Sequence, residues 1–359
     1  MPSTDSNVAL SRRQIILVGA MYTFDSTLIS VQSQTVTYAK QHIWLAHIVP
    51  ALVILLVLAM LVKLLARHPG QDLFAIMDHA KPYIGKPLIM LTVLFFFLII
   101  VRDIRAISEF VNISLLPKTP IYMIGSIVAM TVALICRGGI IVLARMTEIF
   151  GLVLSVVVML LPILMANDIA WMNLMPFWTI DYGGVAMGSW YLFSYVGEVV
   201  ALAFLCTSSN LTFKRGALAV TLGVGLLIIM SMLGVLVLGL PLMGRMLYPN
   251  YELVRHIHLT DFLDRLDLPL IGLWLPTMFV KIGYSLVLVC LGLKRLLPQG
   301  SGKALIGPVG FFAFGVSFWF FENSLQLFNF NRTWTGIAIV FEVLLPIAAF
   351  LMLYGRKPA

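Results

Sequence analysis

Apolar windows of roughly 20 residues, the length that crosses a bilayer core as a helix, recur along the whole chain. They lie near residues 13–37, 43–66, 86–108, 119–137, 142–166, 184–208, 215–240, 268–294, 303–322 and 333–354, and predict about ten spans. Two connections have a pattern of their own. After the second window, Asp72, Leu73, Ile76, Met77 and Ala80 share helical spacing, which predicts a short amphipathic cytoplasmic helix. Between Arg245 and Asp267, Leu253, Ile257, Phe262, Leu263 and Leu266 mix with Glu252, Arg255, His256, His258, Asp261, Asp264 and Arg265. That mixture predicts short helices over the outer face, in the position of a lid.

The first window breaks the apolar pattern. Ile15 to Met21 reads as an ordinary membrane helix, and then Tyr22, Thr23, Phe24, Asp25, Ser26 and Thr27 follow, with Ser30, Gln32, Ser33 and Gln34 beyond them. Lipid offers such groups no partner, so they must face protein or water. Ten windows divide into two fives, about 13–166 and about 184–354, which puts the first and sixth in corresponding positions. The sixth also has a polar, glycine-bearing centre, Ser194-Tyr195-Val196-Gly197-Glu198, with Gly183, Gly184 and Gly188 before it. Paired interruptions in matching positions of two halves mark the binding site of a transporter-like repeat. The first and sixth helices are therefore expected to be broken near mid-membrane, with Asp25 either capping the second half of the first helix or touching a ligand.

Composition agrees with the windows. Hydrophobic residues make up 60% of the 359 and charged residues 11%, against about 25% in a soluble domain; the mean hydropathy is +1.00. This is a multi-pass membrane chain. The net charge of +8 does not indicate nucleic acid, because the basic residues lie mostly in the connections and no basic-aromatic patch accompanies them. With the N-terminus inside, roughly 15 Lys and Arg fall on the cytoplasmic side and roughly 8 outside, Arg102 and Arg105 among the latter. That bias predicts both termini in the cytoplasm. The polar stretch from Met1 to Arg13 does not have the form of a signal peptide. Cys136, Cys206 and Cys290 lie in apolar runs and read as packing residues.

Four ionisable residues fall inside windows: Asp25, Glu198, Lys281 and Glu342. Each is a functional candidate by position. Lys281 is expected to be held in an ion pair by Glu198, Glu342 or Asp25, since a buried ammonium must pair or deprotonate. Arg102, Asp103, Arg105 and Glu109 cluster at the outer end of the third window, as interfacial ion pairs or an outer gate. Arg145 and Glu148, three apart, read as an inner-face ion pair or gate. The six histidines have no metal-ligand spacing, and no phosphate loop, nucleophile elbow or metalloprotease motif occurs. No enzyme activity and no cofactor are expected.

Several motifs in order carry a resemblance: Ser11-Arg12-Arg13-Gln14 at the first span, Arg137-Gly-Gly with Ala144-Arg145-Met-Thr-Glu148, Pro249-Asn-Tyr-Glu252-Leu-Val-Arg255, Asp261-Phe-Leu-Asp-Arg265-Leu-Asp267, and Phe279-Val-Lys281. Together they resemble the B-subunit family of bacterial spore germinant receptors, within the amino acid–polyamine–organocation transporter superfamily. The resemblance covers nearly the whole chain. It implies an all-α integral membrane protein with a LeuT-type five-plus-five inverted repeat. It also implies a germinant sensor in the inner membrane of the spore, answering to a small nutrient (an amino acid, sugar or nucleoside). Such a subunit works beside an A subunit and a C-subunit lipoprotein. Ligand contacts are then expected from Thr23, Asp25, Ser26, Ser194, Tyr195, Gly197 and Glu198, and gating or ion pairing from Arg102, Asp103, Arg145, Glu148, Lys281 and Glu342. The first span has no glycine after Gly19, and Asp25 would repel a ligand carboxylate. A cation-coupled amino acid or polyamine transporter, or a structural subunit with a degenerate pocket, fits the same residues.

Overall fold

The structure is a computed structural model and describes residues 10–80, 82–256, 267–297 and 302–354. Its described elements are all helical. The first window holds α1 (Arg12–Ser30) and α2 (Gln32–Ala39); α3 (Ile43–Arg67) returns across the membrane. The short α4 (Leu73–Asp78) leads to α5 (Pro82–Ser114) and α6 (Ile121–Arg137). Next, α7 (Gly139–Met146) and α8 (Leu152–Leu164) join through a π-helical turn at Thr147–Gly151. In the second half, α9 (Tyr182–Val196) runs through a 3₁₀ turn, Gly197–Ala201, into α10 (Leu202–Leu205). Then come α11 (Phe213–Leu238), α12 (Leu240–Arg245), α13 (Pro249–Arg255), α14 (Asp267–Leu296) and α15 (Gly302–Phe320). The last window holds α16 (Ser324–Ile339) and α17 (Leu345–Leu353), with a π-helical turn at Val340–Leu344 between them.

Each of the ten windows contains a helix. Among the described residues, eight continuous helical stretches are long and apolar enough to cross a membrane, and α6 is a shorter apolar helix. The remaining window is α1, whose polar centre lowers its hydropathy. The predicted short helix forms as α4. Asp72 caps it by accepting from the Ala75 N–H at 2.7 Å, and Leu73, Phe74, Ile76 and Met77 are buried beneath it. Of the expected outer-face helices, α13 is present; residues 257–266 lie outside the described segments.

Helix ends follow from capping chemistry. Ser11 and Gln14 form a capping box at the start of α1. Asp181, Thr212 and Asn323 accept N–H groups at the starts of α9, α11 and α16.

The polar stretch does not break α1. Residues 22–27 stay helical, and the two threonines satisfy their hydroxyls within the helix: Thr23 Oγ1 donates to Gly19 O at 3.2 Å and Thr27 Oγ1 to Thr23 O at 2.5 Å. Asp25 therefore sits mid-helix and caps nothing, which rules out the capping alternative. The interruption comes later, at Val31, whose φ of −130° and ψ of 1° leave the helical range. The carbonyls that approach it find side-chain donors: Asn250 Nδ2 to Leu28 O and Asn331 Nδ2 to Ser30 O, each at 2.8 Å. Exposed to lipid, such carbonyls would be costly.

α1 packs along α11, and α5 along α14. Gly223 permits the first contact, since a side chain there would lie 2.8 Å from Ala20 O and 2.9 Å from Thr23 Cβ. In the stretch Tyr182–Leu205, 83% of the most apolar segment is buried, against 22% in Gly302–Phe320. α9 is thus central and α15 peripheral, with Phe311, Phe312 and Trp319 facing outward. The three cysteines are buried and free.

Candidate functional site

Four charged side chains meet where α1, α5, α9 and α14 come together. Arg102 Nη2 lies 2.6 Å from Asp103 Oδ1 and 2.7 Å from Glu198 Oε1. Lys281 Nζ lies 2.7 Å from Glu198 Oε2 and 3.2 Å from Asp103 Oδ2. Two cations and two carboxylates thus alternate in a closed ring. Ser26 bridges one edge, donating to Asp103 Oδ2 at 2.9 Å and accepting from Lys281 Nζ at 2.5 Å. All four charged residues are at most 1% exposed. Charges so buried persist only when paired; Glu198 is held by its two ion pairs alone, neither oxygen lying in hydrogen-bond geometry. Arg102 gains further from aromatic faces, with the Tyr195 and Trp334 rings 4.4 and 4.9 Å from its guanidinium carbon.

The ring revises where Arg102 and Asp103 belong. α5 continues to Ser114, well past the end of its apolar window, so Arg102 and Asp103 lie deep in the protein rather than at its outer rim. One turn on, Arg105 pairs with Glu109 at 2.5 Å. Ser324 donates to Glu109 Oε2 at 2.6 Å, and Arg105 Nη2 donates to Glu322 O at 3.4 Å. This buried latch ties α5 to the turn between α15 and α16. Lys281 is ion-paired as expected to Glu198, one of its three expected partners, and also to Asp103, which was not among them.

The other expected residues separate into groups. Asp25 faces α14, where Thr277 donates to Oδ1 at 2.9 Å and Trp274 Nε1 to its backbone carbonyl at 3.3 Å; Oδ2 has no hydrogen-bond partner. Thr23 points at α11 and does not reach the ring. Ser194 turns toward α16, 3.4 Å from Thr335 Oγ1. Tyr195 OH donates to Asn331 Oδ1 at 2.8 Å. Gly197 lies against Glu342, in the π-helical turn. Arg145 is exposed and makes no ion pair with Glu148, which accepts instead from Gln14 Nε2 at 3.1 Å, joining the start of α1 to the turn after α7.

Asn331 escaped sequence reading because the tenth window begins at 333, after a stretch diluted by Asn and Gln. Its side chain holds the interruption of the first span from three sides: Ser30 O at 2.8 Å, Gln34 Oε1 at 3.1 Å and Tyr195 OH. Gln34 Nε2 also donates to Phe328 O at 2.9 Å. The polar spacing Asn331–Thr335, at i and i+4, was the available signal. We expect Asn331→Leu to loosen α2 from α16. It should raise hydrogen–deuterium exchange at residues 31–39 by at least tenfold, the loss of one or two buried hydrogen bonds, while exchange in α11 stays unchanged.

Beside the ring is a small cavity lined by Ser30, Arg102, Tyr195, Tyr248, Phe328 and Asn331, among others. Arg102 uses Nε and Nη2 on Asp103 and Glu198, and its Nη1, also buried, has no hydrogen-bond partner. On the other side of the ring, Tyr22 OH meets Ser285 at 3.0 Å and Thr147 meets Tyr284 OH at 3.4 Å.

The sequence profile of the spore germination protein family matches residues 9–325. The chain belongs to that family. The YfkT protein of Bacillus subtilis (strain 168), assigned to spore germination, is 32% identical over 348 residues, 96% of each chain. Spore germination protein KB of the same organism is 25% identical over 277 residues, 74% of each. Among solved structures, MHP1, a nucleobase-cation-symport-1 family transporter caught closed with bromovinylhydantoin bound, gives a TM-score of 0.66 at 13% identity, covering 95% of this chain and 80% of its own. The manganese transporter of Eremococcus coleocola gives 0.60 at 14% identity, covering 100% and 84%. At such identities the likeness concerns the fold alone. This spore germination family member is thus an all-helical, multi-pass membrane protein of the LeuT type, a permease or receptor subunit rather than an enzyme.

Proposed function

We propose that this chain is the ligand-sensing membrane subunit of a germinant receptor. A small nutrient binds beside the charged ring, between the first, third, sixth and tenth spans, and its binding signals germination. The supporting observation is the cavity at the interruption of the first span, which in this conformation has room for about one water molecule and must widen to admit a nutrient. Arg102, whose Nη1 has no hydrogen-bond partner, lines it together with the Tyr195–Asn331 pair and with Ser30, whose carbonyl accepts from Asn331. A ligand there competes with Asn331 for its partners and so changes how α2 is held against α16. Partner subunits, an A subunit and a C-subunit lipoprotein, read that change as a shift between conformers. The setting is the inner membrane of the spore, both termini cytoplasmic, with residues about 13–166 and about 184–354 as the two inverted halves. Of the sequence candidates, Tyr195, Ser26 and Glu198 stand nearest this function; Thr23 and Ser194 serve helix packing.

The test uses spores carrying single substitutions. Tyr195→Phe deletes one hydroxyl and keeps the ring that stacks on Arg102. It should raise the nutrient concentration for half-maximal germination about tenfold, the equivalent of one hydrogen bond. An unchanged response would remove the cavity from consideration. Concentrative uptake of nutrient by the isolated protein in liposomes would instead establish the cation-coupled transporter reading.

A further inference from the structure

Asp25 and Glu342 are both fully buried outside the ring, and Glu342 is the one of the two with no hydrogen bond to either oxygen. It sits in the π-helical turn Val340–Leu344 and presses on the 3₁₀ turn that follows α9. A Cβ on Gly197 would lie 1.8 Å from Glu342 Oε2. The charged groups acting on it are Glu198 from that turn, Arg102 from α5 and Lys281 from α14. Elsewhere on the packed elements, Lys63 and Arg67 of α3 and Arg332 of α16 are exposed, and His47 of α3 is bonded to Ile43 O and Ser231.

Charge counting then decides its state. Arg102 and Lys281 are already balanced by Asp103 and Glu198. An ionised Glu342 would be a surplus negative charge in a water-poor interior, with no donor on either oxygen and a like charge beside it. Isolated buried carboxylates neutralise rather than bear that cost. A metal ion is the other way to neutralise one, but among the described residues no three His, Cys, Asp or Glu side chains are arranged to hold one.

We propose that Glu342 carries a proton while the ring is closed, and that Glu198 and Glu342 alternate as the acid that neutralises Arg102 and Lys281. When Glu198 leaves the two cations, the proton passes from Glu342 to Glu198. Glu342, now a carboxylate, takes over the cations. One O–H bond breaks on Glu342, one forms on Glu198, and the charge of the site is unchanged. The ion built into this site is a proton. Its use in sensing rests on the function proposed above; the protonation itself does not.

Infrared spectroscopy of the full chain in nanodiscs, without nutrient, separates the two. At neutral pH the wild type should show the C=O stretch of a protonated carboxylic acid. Glu342→Gln should remove a component of that band, and Glu198→Gln should remove the same component, because Glu342 then ionises to balance Arg102 and Lys281. Labelling glutamate carboxyls with ¹³C in the wild type should shift a component of the acid band, which distinguishes Glu342 from Asp25 and needs no variant to fold. An acid band untouched by both the label and Glu342→Gln overturns the proposal. Should the label shift the band while Tyr195→Phe leaves germination unchanged, the proton site stands and the ligand site falls.

Discussion

Lys281→Met should cost about 3–5 kcal/mol of stability, the usual penalty for removing one member of a buried ion pair. The cost comes less from the lost attraction than from what stays behind. Asp103 Oδ2 and Glu198 Oε2 both lose a cation within 3.2 Å. Only Arg102 then remains to balance the two ring carboxylates. Thermal unfolding of the detergent-purified protein measures the loss. Pairing the change with Glu198→Gln restores the charge balance, since Arg102 and Asp103 still face each other at 2.6 Å. The double variant should therefore be more stable than Lys281→Met alone, with a coupling of at least about 1 kcal/mol in a double-mutant cycle. If Lys281→Met melts like the wild type, the ring is not closed in solution. Lys281→Arg should not fully substitute, because a planar guanidinium cannot reproduce the point contacts made to Ser26, Asp103 and Glu198.

Gly197→Ala should be nearly as damaging, for a steric reason. The added methyl would sit 1.8 Å from Glu342 Oε2 and 2.4 Å from its Cδ, far inside contact distance. Either Glu342 leaves its place or the 3₁₀ turn shifts. Overpacking of this kind costs about 1–3 kcal/mol. Here the displaced turn also carries Glu198, so the ring is disturbed as well. Shortening the acid makes room, and Gly197→Ala with Glu342→Ala should recover much of the lost melting temperature. A single Gly197→Ala variant with wild-type melting and wild-type germination would show that the sixth and tenth spans are not in contact here.

The ring explains why a polar stretch could persist in the first span. Ser26 is the member that enters the centre. Asp25 reaches α14 one turn away, at Thr277, and the threonines at 23 and 27 satisfy themselves on the preceding turn. Uniform polarity in sequence thus resolved into three separate tasks, because neighbouring helical residues point about 100° apart.

Much of this protein was determined by its sequence alone. Ten apolar windows and the low charge content established a helical membrane protein, and the ionisable residues inside the windows included two of the four ring members, Glu198 and Lys281. Lipid punishes exposed polar groups so strongly that hydropathy reads out directly. Tertiary structure decided what depends on depth and direction. It moved Arg102 and Asp103 from the rim to the centre, because α5 outruns its apolar window. It paired Lys281 with Asp103 and Glu198, a choice that sequence spacing cannot make between four carboxylates on four helices. It moved the interruption of the first span from Asp25 to Val31, where Asn250 and Asn331, more than 200 residues away, supply the missing donors. Long-range hydrogen bonds of that kind have no local signature, and they are what turns a polar helix into a site.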